Sequence, residues 1–438
     1  MLSFKRQFAI SSCVVLALLS SGCGLDAFAT RYEVSVTVSG LNGSGLILQN
    51  NGGANLAVSS NGVVKFASYY DNGAKYAVTV LTAPSAPAQL CTLSNASGTI
   101  AAANVSNITL VCSNTARYAY VANQGDNSIS AYSINNATGA LTSLAAPVMA
   151  GSAPSALAVS ANVKYVYAVN SANQSLSTFA INATTGALSS VGNGIPTGLT
   201  PTSLAIDPSG KFLYVTNQSD SSVSGYSIDS STGVLKSVGA AVAAGAGASS
   251  VAIEQNGKFA YVVNRSANTI SIFSVNTSTG VLSATGTPVI TGMSPSAITI
   301  APKGNYAYVT NKSSNSIYTF SMDATTGALN KTSEVAAGNL PSAIAIEPNG
   351  KFAYVASTTD NAVISYAINS STGALSKVGI ATVKGVVGMV AAKEFLYVTN
   401  SIDNTVLVYA IDANTGTLST VGAPIASGKN PVAITTTN

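Results

Sequence analysis

From Arg117 onward the chain repeats itself seven times. The recurring stretch reads RYAYVANQGDNSI at 117, KYVYAVNSANQSL at 164, KFLYVTNQSDSSV at 211, KFAYVVNRSANTI at 258, NYAYVTNKSSNSI at 305, KFAYVASTTDNAV at 351 and EFLYVTNSIDNTV at 394. Each copy is followed about 20 residues later by Thr-Gly-x-Leu, with its glycine at Gly139, Gly186, Gly233, Gly280, Gly327, Gly373 and Gly416. The copies start 47, 47, 47, 47, 46 and 43 residues apart. A period of this size restricts the fold to a solenoid or a propeller, because one such unit cannot bury its own apolar face and must pack on the next.

The content of one repeat separates the two. Residues 201–238 run PTSLAID, turn, KFLYVTN, turn, SSVSGYSID, Thr-Gly turn, VLKSV: four strand-type segments with no helical periodicity. Seven four-stranded units are the blades of a seven-bladed β-propeller, expected over residues 114–438. Phe212-Leu213-Tyr214-Val215 is apolar without alternation, as a strand covered on both faces requires. The first repeat has no P-S-A-L-A-V segment before Arg117, while an additional segment of that type stands at Pro431 to Thr436. This C-terminal strand is expected to complete the first blade and hide its edge.

Between residues 32 and 113 the pattern is different. YEVSVTV, GLILQ, NLAV, VVKFA, YAVTVL and ITLVC alternate with Asn42-Gly43, Asn61-Gly62, Asn72-Gly73 and other turn signals. They predict a small antiparallel β-sandwich of immunoglobulin-like plan, a spacer or adhesion module. Cys91 and Cys112 are the one cysteine pair after the leader, with no C-x-x-C spacing, and are read as a structural disulfide. The whole chain is therefore expected to be all-β.

The first residues, MLSFKRQFAISSCVVLALLSSGCG, carry Lys5 and Arg6, an apolar run from Phe8 to Leu19 and then small residues. That is the layout of a signal peptide, placed at residues 1–22 and followed by a linker at 23–31. Its end, Leu19-Ser20-Ser21-Gly22-Cys23, resembles a bacterial lipobox in which Ser20 holds the usual aliphatic place. The resemblance implies that Cys23 is lipidated and anchors an envelope protein, with Gly24 pointing to the outer membrane, facing periplasm or cell surface. The other reading is cleavage after Ala27-Phe28-Ala29, which releases a secreted, unanchored protein.

Tyr-Val-Thr-Asn with a following Ser-Ile or Ser-Val, and Thr-Gly-x-Leu at a period in the forties, resembles the YVTN-repeat propellers and the related lactonase propellers of the 6-phosphogluconolactonase type. The resemblance covers about 320 of the 438 residues. It implies either a binding scaffold of the cell envelope, with a protein or glycan on the propeller face, or a lactonase hydrolysing a sugar lactone.

Composition limits the chemistry. Only 8% of residues are charged, against roughly a quarter in ordinary soluble domains, so the surface is covered by hydroxyls and amides. The net charge of +4 comes from scattered lysines without a basic run, which sets nucleic acid aside. There is no His, so neither the usual general base nor the commonest metal ligand is available. No D-x-D-x-D-G loop predicts a metal site, and Gly245-Ala246-Gly247 opens no helix, so no cofactor is expected.

The repeated tyrosines, Tyr120 to Tyr397, are read as core with paired hydroxyls, and the asparagines that follow them as turn closers. Ser357 breaks the asparagine series. The residues that could carry chemistry are the unrepeated charges on the face formed by the second-to-third-strand loops and the blade-to-blade loops. These are Arg265 and Lys312, Lys384 and Lys429, and the acids Asp126, Asp220, Asp360 and Asp403. For a lactonase, an acid as base with Arg265 or Lys312 steadying the oxyanion is the arrangement to look for.

Overall fold

A computed structural model describes residues 30–84, 89–114, 117–303 and 305–437. The chain divides into two compact units between residues 115 and 116. No described helix is long and apolar enough to cross a membrane.

The first unit is eight strands in two four-stranded sheets that share one core. Val34, Val36 and Val38 alternate inward from the strand Tyr32–Ser39 and meet Leu46, Leu48, Phe66, Val78, Ile108 and Leu110. The sheets are not wholly antiparallel as expected. Tyr32–Ser39 runs parallel to the last strand, Val105–Asn114, because the chain crosses to the other sheet and back before the two meet. Gln89–Ser94 and Ser97–Thr99 are further strands that turn patterning did not reveal; both are short edge strands with little buried side chain. Cys91 stands directly opposite Cys112 across the pair Gln89–Ser94 and Val105–Asn114, and the two form a disulfide.

The second unit is a ring of seven antiparallel sheets. In the second blade the strands run Pro154–Val159, Tyr165–Asn170, Ser175–Ile181 and Leu188–Ser190, from axis to rim, and the other blades follow suit. Each innermost strand packs beside the next around the ring. The first blade takes its innermost strand from the C-terminus: Pro431–Thr436 pairs with Arg117–Asn123, Pro431 opposite Asn123 and Thr436 opposite Ala119.

The repeat keeps its form because it makes the joints between blades. Each repeated tyrosine donates its hydroxyl to the Thr-Gly turn carbonyl of the following blade. Tyr120 reaches Gly186 at 3.0 Å, Tyr167 reaches Gly233 at 3.2 Å and Tyr214 reaches Gly280 at 2.9 Å. Tyr261, Tyr308 and Tyr354 do the same to Gly327, Gly373 and Gly416, and Tyr397 closes the ring on Gly139 at 3.1 Å. Every one of these tyrosines is fully buried, and each bond contributes about 1 kcal/mol net. The turn glycine is required twice over. Gly186 has φ +72°, and a Cβ there would lie 2.2 Å from Cδ1 of Tyr118, closer than any side chain could stand.

Candidate functional site

The loop between the second and third strands of a blade and the loop entering that blade are tied together at one mouth of the ring. The residue after the repeated Asn donates its N–H to the entering loop: Gln124 to Asn430, Ser171 to Ala153, Arg265 to Gly247 and Lys312 to Ser294. The repeated Asn side chain lies beneath this joint. Asn170 Oδ1 accepts the Gly151 N–H at 3.1 Å, while Nδ2 donates to Ser175 and Ser177. In the sixth blade Ser357 stands in that place, and its hydroxyl lies within hydrogen-bond distance of the Asn339 carbonyl at 2.9 Å and Asp360 at 2.7 Å.

The acceptor carbonyls at the mouth belong to residues held in the left-handed region. Ala153, Thr200, Ser294, Leu340 and Asn430 all have φ between 51° and 53°, and Gly247 and Gly385 complete the ring of seven. A second set of left-handed residues ties neighbouring blades. Asn127 Oδ1 accepts the Ala153 N–H at 2.8 Å, Asn268 that of Ser294 at 2.7 Å, Asn315 that of Leu340 and Asn404 that of Asn430. Asn serves here because it tolerates positive φ and carries an acceptor. Sequence reasoning missed this joint, although the Asn recurs four residues after the repeated one in five of the seven copies.

The four candidate acids occupy one structural slot, three residues after the repeated Asn or, in the sixth blade, Ser357. Asp126 accepts the Lys429 N–H at 3.0 Å and the Ser128 hydroxyl at 2.8 Å. Asp220 accepts the Leu199 N–H at 2.6 Å. Asp360 accepts the backbone and side-chain N–H groups of Asn339, each at 2.7 Å. The Asn339 backbone N–H, and after it the Ser357 hydroxyl, hold the Asp360 carboxyl below the usual range. Asp403 accepts from Nδ2 of Asn400 at 2.9 Å. In the second blade Asn173 fills the slot and accepts the Ser152 N–H, and in the fifth Ser314 accepts that of Met293. Asp126 is therefore one version of a recurring clamp.

The fourth and fifth blades, which carry Arg265 and Lys312, have Ala267 and Ser314 in the slot and hence no carboxylate there. Arg265, Lys384 and Lys429 are exposed and Lys312 is half-buried. Among the described residues the ion pairs are Arg31 with Asp71, Lys65 with Glu33 and Lys331 with Glu334, so none joins these cations to the candidate acids. Leu199, Met293, Leu340 and Ile402 are exposed on the same loops. Asp360 also borders a hollow of about 420 Å³ on the flank of its blade, with Tyr366, Lys377 and Ile380. Among the described residues no three acids or cysteines gather as metal ligands. Cys23 lies outside the described residues.

The model of the seven-bladed β-propeller lactonase family matches residues 72–198, 109–248, 239–339 and 332–436, overlapping stretches that span the propeller. Solved structures of the same fold include a candidate 6-phosphogluconolactonase from Bacteroides uniformis, 22% identical, covering 74% of this chain and 100% of that one with a TM-score of 0.67. The periplasmic gluconolactonase of Pseudomonas aeruginosa is 18% identical over 74% of this chain and 99% of its own, with a TM-score of 0.63. A Lactobacillus plantarum protein gives 18%, 74%, 100% and 0.61 in the same terms. No curated protein matches the chain in sequence. Ring, joints and family match agree: this chain belongs to the seven-bladed β-propeller lactonases.

Proposed function

We propose that this protein is a lipid-anchored envelope protein whose propeller mouth binds a ligand, a protein or a glycan, without turning it over. The observation that carries this reading is the state of the mouth acids. Each of the four accepts from a loop N–H group or a side-chain amide and so serves to hold the mouth's own loops together. What the mouth exposes is three cations, Arg265, Lys384 and Lys429, and the apolar side chains of Leu199, Met293, Leu340 and Ile402, a mixture suited to recognition.

A second reading, lactone hydrolysis at the same mouth, is favoured by the family match. It would use Arg265 or Lys312 to stabilise the carbonyl oxyanion and one of the four acids to activate water. Export by the leader weighs against a sugar phosphate of central metabolism as substrate. The experiment is a hydrolysis assay of the purified protein with glucono-δ-lactone and its 6-phosphate. The binding reading expects no rate above spontaneous hydrolysis. Turnover at enzymatic rates, lost in R265A or D220N, would overturn it.

A further inference from the structure

Four charged side chains are buried among the described residues: Arg117, Asp207, Glu254 and Glu347. The three acids each take N–H groups of their own first-to-second-strand turn, Asp207 from Ser209 and Phe212, Glu254 from Lys258, and Glu347 from Asn349 and Lys351. Arg117 has no such partner. It is 1% exposed, and Nε, Nη1 and Nη2 are all enclosed without a hydrogen bond.

Arg117 opens the strand Arg117–Asn123, at the end away from the mouth, opposite Ile134. Ala119 and Val121 of that strand pack on Ala392, Phe395 and Tyr397 of the seventh blade, and strand alternation puts Arg117 on the same side. It thus lies in the seam where the ring closes. The charged and titratable groups acting on one another there are few. Lys393 sits in the turn before Phe395, and burial first, then the Arg117 charge, lowers its pKa. The Tyr397 hydroxyl is committed to Gly139. Glu394 acts on Lys393 but is exposed, and among the described residues no carboxylate pairs with Arg117. In the other six blades the equivalent residues are Lys164, Lys211, Lys258, Asn305, Lys351 and Glu394, all exposed.

A guanidinium does not discharge itself by losing its proton, and enclosing it with its donors unpaired is strongly unfavourable. Among the described residues these two cations face no carboxylate, and an anion from outside the chain would satisfy them. We propose that Arg117, with Lys393 beside it, binds a compact oxyanion in the seam between the first and seventh blades. The planar fork of Arg117 suits the paired oxygens of a phosphate or a carboxylate, and the ammonium supplies a second positive contact. The site is separate from the mouth and independent of what the mouth binds. The ligand acts as a staple at the one joint of the ring made by sequence-distant strands.

The test uses the purified protein in an oxyanion-free buffer, with sodium phosphate, sodium acetate and sodium chloride added at matched ionic strength. The unfolding midpoint of the propeller is the readout, since a ligand bound only to the native state raises it. Phosphate or acetate is expected to raise it beyond chloride, and the stronger of the two identifies an inorganic anion or a carboxylate as the preferred class. R117M is expected to lose that response and, without oxyanion, to be at least as stable as the parent, because an apolar chain replaces an unpaired buried charge. K393M, at an exposed position that folding tolerates, is expected to need about tenfold more oxyanion for the same shift. Equal responses to all three salts in the parent, or an undiminished oxyanion response in both variants, would overturn the proposal.

Discussion

Tyr118 and Gly186 show how much a single residue pair decides in this molecule. The aromatic ring of one blade lies on the Thr-Gly turn of the next, and the left-handed glycine leaves no space between them. Gly192, at φ +61°, has nothing within 4 Å of the position a Cβ would take, which makes it a matched control. Gly186→Ala is expected to cost about 2–5 kcal/mol, summing the left-handed strain and the displacement of Tyr118. Gly192→Ala carries only the backbone part, about 1–2 kcal/mol. Urea denaturation of both variants checks this, and equal losses would show that the ring contact contributes nothing. At this scale the sequence was partly legible. The tyrosines were readable as core because they recur, but their partners lie about 66 residues away, beyond local patterning. The acids were harder, because Asp126, Asn173, Asp220 and Ser314 differ in charge while accepting the same kind of N–H. Charge marked them as unlike, and geometry makes them alike. Arg117 was invisible for the converse reason: in the repeat it looks like the exposed lysines around it, and only the closed seam buries it.

Among elements, Pro431–Thr436 has the least replaceable task. Counting the repeated segments predicted that it would complete the first blade, and it does, pairing with Arg117–Asn123 and bringing Ile434 into the core. That much was legible because a propeller built of whole repeats leaves one strand over. The parallel pairing of Tyr32–Ser39 with Val105–Asn114 was not legible, since alternation states which face is buried and not which strand lies beside which. Truncation after Asn430 should leave the strand Arg117–Asn123 as an unpaired inner edge. The expected result is association of the chain and a fall of roughly 10 °C or more in the unfolding midpoint. A synthetic peptide spanning residues 429–438 should restore part of both. A truncated chain that stays monomeric with an unchanged midpoint would show that the ring closes without its last strand.

At the scale of the whole molecule, where the protein resides bears on what the mouth can meet. The fold carries few charges, with Lys331 and Glu334 making one of its few ion pairs, and its described residues offer no helix able to hold a membrane. In the sequence, the apolar run from Phe8 to Leu19 that is read as part of a leader is short for a span. On the proposed reading, lipidation at Cys23 resolves this, because more than one acyl chain on the same residue gives stable membrane attachment where a single chain does not. Expressed in a bacterium with its own leader, the mature protein should begin at Cys23, carry the mass of its acyl chains and partition into the detergent phase of a Triton X-114 extract. Cys23→Ser should move it to the aqueous phase while leaving the propeller's unfolding midpoint unchanged, since the propeller core is drawn from residues beyond Arg117. A mature protein beginning at Thr30 with no added mass would instead establish cleavage after Ala27-Phe28-Ala29. Its ligand would then be sought in solution, and the first unit would have no membrane from which to space the ring.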